Sequence, residues 1–245
     1  MLRSFGAFFL TVALLAFVAA CGDADPVVIA TVGDYHPFNF INDEGEIDGL
    51  ERELGDELCR RAGLECEWVL HEWETLIPDL MAEQFDVILA GMSITAERDQ
   101  LIDFAGPYYP SRPSMYLARA GAGDGAIEGR LGVEENTIFS DYLEARGIAY
   151  VPLAGAADAA DAVLGGDVDA VLVDHAYGVA KLAEHAGRLE AVGPALRLDE
   201  GLGIGVRAGG DLLGAFGEAI DSMKADGTLN ALLRKWLGED AATFD

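Results

Sequence analysis

Positive charge is scarce in this chain of 245 residues. It carries 16 Lys and Arg against 43 Asp and Glu, a formal net charge of −27. Nothing basic is clustered, which excludes a protein that neutralises the phosphates of a nucleic acid. The acidic excess implies a soluble, self-repelling surface. Histidine is rare as well. His36, His71, His175 and His185 show no metal-ligand spacing and read as surface residues. Cysteine is rarer still, with three in the whole chain, so a Cys/His metal site of four ligands is not assembled from this sequence. Beyond residue 20, no apolar run approaches the ~20 residues of a membrane-spanning helix.

What is present begins with a leader. Arg3 supplies a positive start, and residues 5 to 20, "FGAFFLTVALLAFVAA", are almost wholly apolar. "VAAC" at 18 to 21 resembles the bacterial lipoprotein processing signal. That resemblance implies a mature chain that starts at Cys21 and carries lipid there. Ordinary cleavage to a free protein and an uncleaved anchor are the alternatives. With Cys21 assigned to the leader, residues 1 to 21, Cys59 and Cys66 remain, spaced C-x6-C. In an oxidising compartment they are expected to pair, and closing so short a loop stabilises by roughly 2–3 kcal/mol. Two free buried thiols are the alternative. The remaining ~220 residues suffice for one α/β domain or two smaller lobes.

The pattern alternates between strands and helices. "PVVIATV" at 26 to 32 is a β-branched run, read as a buried strand. "DYHPFNFINDEGEIDG" reads as loop and turn. A helix begins at Leu50, with Leu54 and Leu58 on the same face, and ends at Gly63. "CEWVL" is a strand. "WETLIPDLMAEQ" reads as a helix, disturbed at Pro78. "FDVILAG" is a strand that runs into "MSITAERDQ". A second series follows the Gly/Ala-rich stretch after Arg119, with strands "RLGV", "IAYVPL", "DAVLVD" and "LEAVG" separated by helical segments. "GLGIGV" and two helices near 211–226 and 228–237 close the chain. Alternation of this kind predicts an α/β protein with largely parallel sheets covered on both faces. Composition changes near 115–125, and "DEGLGIG" at 199 to 205 marks a second crossing. The expected division is lobe 1 over 27–114 and 204–245, lobe 2 over 115–203, and a two-strand hinge between them.

Six landmarks in order resemble the periplasmic solute-binding proteins of amino-acid ABC transporters, family 3, polar amino acid type. They are "DYHPFNF", "GEIDGLERELGDEL", "WETLIPDLMAEQFDVILAGMSITAERDQLIDFAGPYY", "GRLGVEENT", "DAVLVD" and the closing "GIGVRAGGDLLGAFGEAIDSMKADGTLNALLRKWLG". The resemblance covers about 27 to 239. It implies a two-lobed, type II periplasmic-binding-protein fold and a monomer outside the cytoplasm, lipid-anchored if Cys21 is acylated. It also implies capture of a polar amino acid in the interlobe cleft, delivery to a permease in the inner membrane, and no cofactor. Some family members that bind basic amino acids carry the same C-x6-C pair.

The chemistry can be argued separately. A free amino acid is a zwitterion, and burying either charge without a partner is prohibitive. Arg98 offers a planar fork for the carboxylate. Ser93 and the backbone around Gly91 can add donors. Thr95 is expected to cap the short helix that carries Arg98. Thr137, at another helix start, can close on the same carboxylate from the second lobe. Asp174, ending "AVLVD", is placed for the ammonium. By resemblance Tyr35 and Trp73 are aromatic walls. This chain has Asn136-Thr137 where the family usually has Gly-Thr, and Val32 where members specific for basic side chains tend to carry an acid; Asp34 or Glu135 is a possible substitute.

Each residue also has a plainer reading. Arg98 can pair with Glu97, Asp99 or Asp103 on the surface. Asp174 and Thr137 can be simple N-caps, Ser93 a turn hydroxyl, Gly91 a strand-end turn, and Tyr35 and Trp73 core residues. Two other functions share the fold. One is a cyclohexadienyl dehydratase, with Glu134, Glu135 or His175 as general acid. The other is a ligand sensor acting through a separate membrane protein.

Overall fold

A computed structural model of the chain describes residues 25–155 and 158–245. The leader and Cys21 lie outside the described residues. No described helix is long and apolar enough to cross a membrane.

The first lobe opens with β1 (Val27–Thr31). Three short strands follow, β2 (Asp34–Tyr35), β3 (Asn39–Ile41) and β4 (Ile47–Asp48), paired antiparallel as a small sheet of their own. The expected loop is therefore a sheet. Its strands are only two or three residues long, too short for alternation to register in the sequence. Next come α1 (Leu50–Ala62), β5 (Cys66–Leu70), α2 (Leu76–Met81), β6 (Val87–Ile88) and β7 (Asp103–Pro110). The helix expected across 73–84 divides. Trp73–Thr75 form a 3-10 turn, and α2 begins only at Leu76. Pro78 thus falls in the first helical turn, where a missing N–H breaks no bond.

The second lobe contains β8 (Ser114–Arg119), β9 (Leu131–Glu134), α3 (Ile138–Glu144), β10 (Tyr150–Leu153), α4 (Asp158–Gly165), β11 (Ala170–Val173), α5 (His175–Glu184) and β12 (Leu189–Leu196). The chain then returns with β13 (Gly201–Val206), α6 (Asp211–Ala225) and α7 (Thr228–Leu237).

Each lobe has a five-stranded sheet. The orders are β5-β1-β6-β13-β7 and β10-β9-β11-β8-β12. β1, β5 and β6 run parallel, as do β9, β10 and β11. β13 is antiparallel to both β6 and β7, and β8 is antiparallel to both β11 and β12. The sheets are mixed rather than parallel because the strands next to the two crossings enter from the other lobe. Gly201 pairs with Pro110, and Leu202 with Tyr109, in the first sheet. Sheet membership therefore sets the second crossing between Leu196 and Gly201, upstream of the boundary expected at 203/204. The first crossing lies between Pro110 and Ser114.

Burial explains the helices. Leu50, Leu54 and Leu58 of α1 are buried in one core with Phe216, Ile220 and Met223 of α6 and Leu229 and Leu233 of α7. The other lobe packs small residues of α4, Ala159, Ala160 and Val163, against Leu117, Val171 and Tyr177. A disulfide joins Cys59 to Cys66, tying the end of α1 to the start of β5.

Candidate ligand-binding cleft

The parallel strands of both lobes end at one place. β1 leads to Asp34 and Tyr35, β5 to Trp73, and β6 to Gly91 and Ser93. From the other lobe β9 leads to Glu134 and Thr137, and β11 to Asp174. All of these residues, with Arg98, line one cleft of about 770 Å³, its open mouth included. The carboxyl ends of strands are where open α/β sheets place their ligands. All seven expected ligand residues, Tyr35, Trp73, Gly91, Ser93, Arg98, Thr137 and Asp174, face this space.

Arg98 begins a 3-10 turn, Arg98–Gln100, and its N–H donates to Thr95 Oγ1 at 3.2 Å. Its guanidinium donates to the Ser93 carbonyl at 3.0 Å and, across the lobes, to the Asn136 carbonyl at 3.5 Å. It also lies over the Trp73 ring, 5.3 Å from the centroid. Among the described residues no carboxylate forms an ion pair with it, so the surface pairing with Glu97, Asp99 or Asp103 is not what holds it. Burial pulls its pKa below the usual arginine value, opposed by Asp141, Glu97 and Asp199 at longer range. A half-buried cation bonded only to carbonyls is suited to receive an anion.

Asp174 caps α5, its Oδ1 accepting the Tyr177 N–H at 3.0 Å. It therefore has the plainer role and a place in the cleft at once. Burial raises its pKa to about 6 against the N–H bonds of Tyr177 and Ala176. Thr137 is a cap too, in a capping box with Ser140. Its hydroxyl donates to the Glu134 carbonyl at 2.7 Å and its N–H donates to Ser140 Oγ at 3.1 Å, so both of its donors are committed within the lobe. Ser93 Oγ donates to Asp199 Oδ2 at 3.3 Å, in the segment that crosses between lobes.

Gly91 has φ 66, and a Cβ there would sit 2.8 Å from the Tyr35 ring. The group that comes close to Gly91 is thus Tyr35, where sequence reasoning expected the ligand. Tyr35 in turn stacks on Phe38 at 5.2 Å and on Tyr177 of the second lobe at 5.9 Å. Asn136 adopts the left-handed conformation, φ 58, that Asn tolerates better than most residues. Its carbonyl also accepts the Trp73 indole N–H at 3.1 Å, a second direct bond between the lobes. Gly155 of the second lobe faces Asp34, whose carboxylate a side chain there would strike.

Two more acids line the cleft from opposite lobes: Asp34, weighed from sequence as a substitute acid for a basic side chain, and Glu134, weighed as a general acid. Burial lifts the Glu134 pKa to about 7, helped by Asp34, Glu74 and Asp158. Asp34 is raised by burial as well, with Asp158, Glu72 and Glu74 adding to the effect. Glu135, the alternative weighed from sequence, is exposed and does not line the cleft. A signal for Glu134 was available: it ends strand β9, as Asp174 follows strand β11. Among the described lining residues the charges are one cation, Arg98, and three acids, Asp34, Glu134 and Asp174.

A two-lobed α/β protein with a charged cleft at the seam belongs to the type II periplasmic-binding-protein class. Within it, the chain is a member of the bacterial extracellular solute-binding proteins, family 3, whose model matches residues 27–239. The L-arginine-binding protein of Pseudomonas aeruginosa is 31% identical over 231 residues, 88% of this chain and 89% of that protein. The L-cystine-binding protein TcyJ of Escherichia coli K12 is 28% identical over 222 residues, 87% of this chain and 83% of that protein. Among solved structures, a periplasmic His/Glu/Gln/Arg/opine family-binding protein from Silicibacter pomeroyi, in complex with lysine, superposes with a TM-score of 0.84. It is 48% identical and covers 89% of this chain and 100% of its own. These relatives are binding proteins, not enzymes.

Proposed function

We propose that the protein is the extracytoplasmic receptor of an amino-acid ABC importer, and that its ligand is a single cationic α-amino acid. The observation that carries this reading is the placement of Arg98 and Asp174 on opposite walls of one cleft, with neither in an ion pair among the described residues. Arg98 takes the α-carboxylate and Asp174 the α-ammonium. Each charge-assisted bond contributes about 1.5–3 kcal/mol, enough in combination for micromolar or tighter binding. Tyr35 and Trp73 flank the side chain. Asp34 and Glu134 receive its terminal charge. With one cation against three acids, a ligand of net positive charge is the one that balances the cleft. Ser93 supports Arg98 through its carbonyl, and Thr137 shapes the helix start.

The closed arrangement, with Asn136 bonded to Trp73 and Arg98, is the form that a permease in the membrane would meet. Export by the leader and lipid attachment at Cys21 belong to the same proposal; intact-mass measurement of protein from membranes tests them.

The function is tested by isothermal titration of protein stripped of ligand by unfolding and refolding, against the proteinogenic amino acids and L-norleucine. L-Arginine or L-lysine is expected to bind one-to-one, at least about 10-fold tighter than L-glutamine or L-norleucine. Preference for a neutral or acidic amino acid would sink the cationic assignment alone. Failure to bind any amino acid would sink the whole reading.

A further inference from the structure

Behind the cleft wall lies a carboxylate that does not line the cleft. Glu51, the second residue of α1, is 0% exposed. Its Oε1 accepts the Gly91 N–H at 2.7 Å and also the Tyr108 hydroxyl. Its Oε2 accepts Asn39 Nδ2 at 2.6 Å. None of these partners carries a positive charge. Asn39 is itself 0% exposed, and its Oδ1 accepts the Gly33 N–H at 2.8 Å. That bond fixes the amide. Gly33 offers only a donor there, so the Asn39 oxygen faces Gly33 and the nitrogen faces Glu51.

A buried carboxylate without a counter-charge is expensive, and a neutral side chain of similar size would fill the space at lower cost. What the carboxylate provides is acceptor capacity. Two oxygens with four lone-pair positions serve three donors at once, which no neutral side chain of this length does. Burial pushes the Glu51 pKa up, and the bonds from Tyr108, Gly91 and Asn39 oppose that rise.

Both backbone amides on this network belong to the cleft wall. Gly33 immediately precedes Asp34 and Tyr35, and Gly91 stands two residues before Ser93. Gly91 also touches the Tyr35 ring closely, so a shift of its backbone moves Tyr35 and the stack on Tyr177. We infer that Glu51 is a positioning residue of the binding site: it clamps Gly91 directly, and Gly33 through Asn39, so that Asp34, Tyr35 and Ser93 hold fixed places before a ligand enters. The inference rests on the cleft being the ligand site. Preorganisation of this kind raises affinity by removing an ordering cost from the binding step.

The test compares parent and Glu51→Gln protein in two measurements. One is amide hydrogen exchange at Gly33 and Gly91 by NMR. The other is titration with L-arginine and L-lysine. Glutamine has a single acceptor oxygen, so one of the three donors loses its partner. Exchange at Gly91, or at Gly33 where Asn39 is the donor released, is expected to quicken at least about 10-fold, and Kd to rise about 10-fold. Asn230→Ala is the control. It removes the bonds that hold Phe244, remote from the cleft, and should lower Tm with Kd unchanged. If Glu51→Gln does not fold, Asn39→Ala decides, with faster exchange at Gly33 and a Kd rise of about 3-fold expected. Parent-like exchange and parent-like Kd in the folded variant would overturn the inference. A parent that binds neither amino acid would refute the ligand reading instead, and exchange at the two amides still decides whether the clamp exists.

Discussion

The two lobes contribute unequally to the cleft. The first lobe brings the cation, the aromatic walls and a buried hydrogen-bond network under them. Its helix α1 is stapled by a disulfide at one end and holds Glu51 at the other. The second lobe brings acids at strand ends, a helix cap and an alanine-rich core. The difference teaches where rigidity is built. A carboxylate fork needs a fixed partner, and the first lobe fixes it through Ser93, Thr95 and Trp73. The second lobe needs only to deliver charge when it meets the first. It does so with residues that already have structural work, as Asp174 does at the start of α5.

The comparison can be broken most directly at Arg98. Arg98→Ala should raise Kd for the best amino-acid ligand about 100-fold or more, with thermal unfolding of the free protein little changed. An unchanged Kd by titration would remove the first lobe's main role. Asp174→Asn comes next. Asn caps a helix as well as Asp, so Tm should hold while Kd rises about 30-fold; a large fall in Tm with normal affinity would make Asp174 a cap alone.

Glu134→Gln sharpens the contrast. It should weaken L-arginine or L-lysine binding about 5-fold and leave L-glutamine unaffected. The pH dependence has a definite sign. With the Glu134 pKa raised to about 7, its contribution to stability is intact below the ordinary carboxylate range and is lost as pH rises through 7. A cationic ligand favours the ionised form, so affinity should improve from pH 5.5 to 8 with protons released on binding. Titrations in buffers of different ionisation enthalpy measure that release, and Glu134→Gln should reduce it. The smallest effect on affinity belongs to the disulfide. Cys59→Ser with Cys66→Ser should lower stability by about 2–3 kcal/mol in chemical denaturation, with Kd within about 2-fold of the parent.

Much of the fold was legible because its signals are local. The β-branched run of β1, the four-residue leucine spacing of α1 and the strand–Asp–helix sequence around Asp174 each identify an element without its neighbours. The antiparallel placement of β13 was not legible, since "GLGIGV" has the same composition whichever lobe and direction it takes. The small sheet of β2, β3 and β4 was missed because pairs of residues carry no period. In the cleft, Arg98 was found as a lone cation behind Ser93 and Thr95, and Asp174 as an acid at a strand end. Glu134 was only half found, since a strand-end acid beside a second acid, Glu135, gives no clue to which one turns inward. Gly91 was read for its space, but only the fold shows that an aromatic ring occupies it. Glu51 was invisible. In the sequence it is one acid among several on an amphipathic helix, and its isolation from water depends on β3, β7 and the Gly91 turn arriving around it.

Trp73 sits at the seam with its indole N–H on the Asn136 carbonyl, while Trp68 bonds Asp56 and Trp236 packs by Phe40, all within the first lobe. The molecule thus carries its own optical reporter. Of its three tryptophans, one bridges the two halves and two have these contacts within the first, so a parting of the halves would change the environment of Trp73 alone. The difference in emission between the parent and Trp73→Phe isolates that signal, so the rate at which the halves separate can be followed in real time without a label.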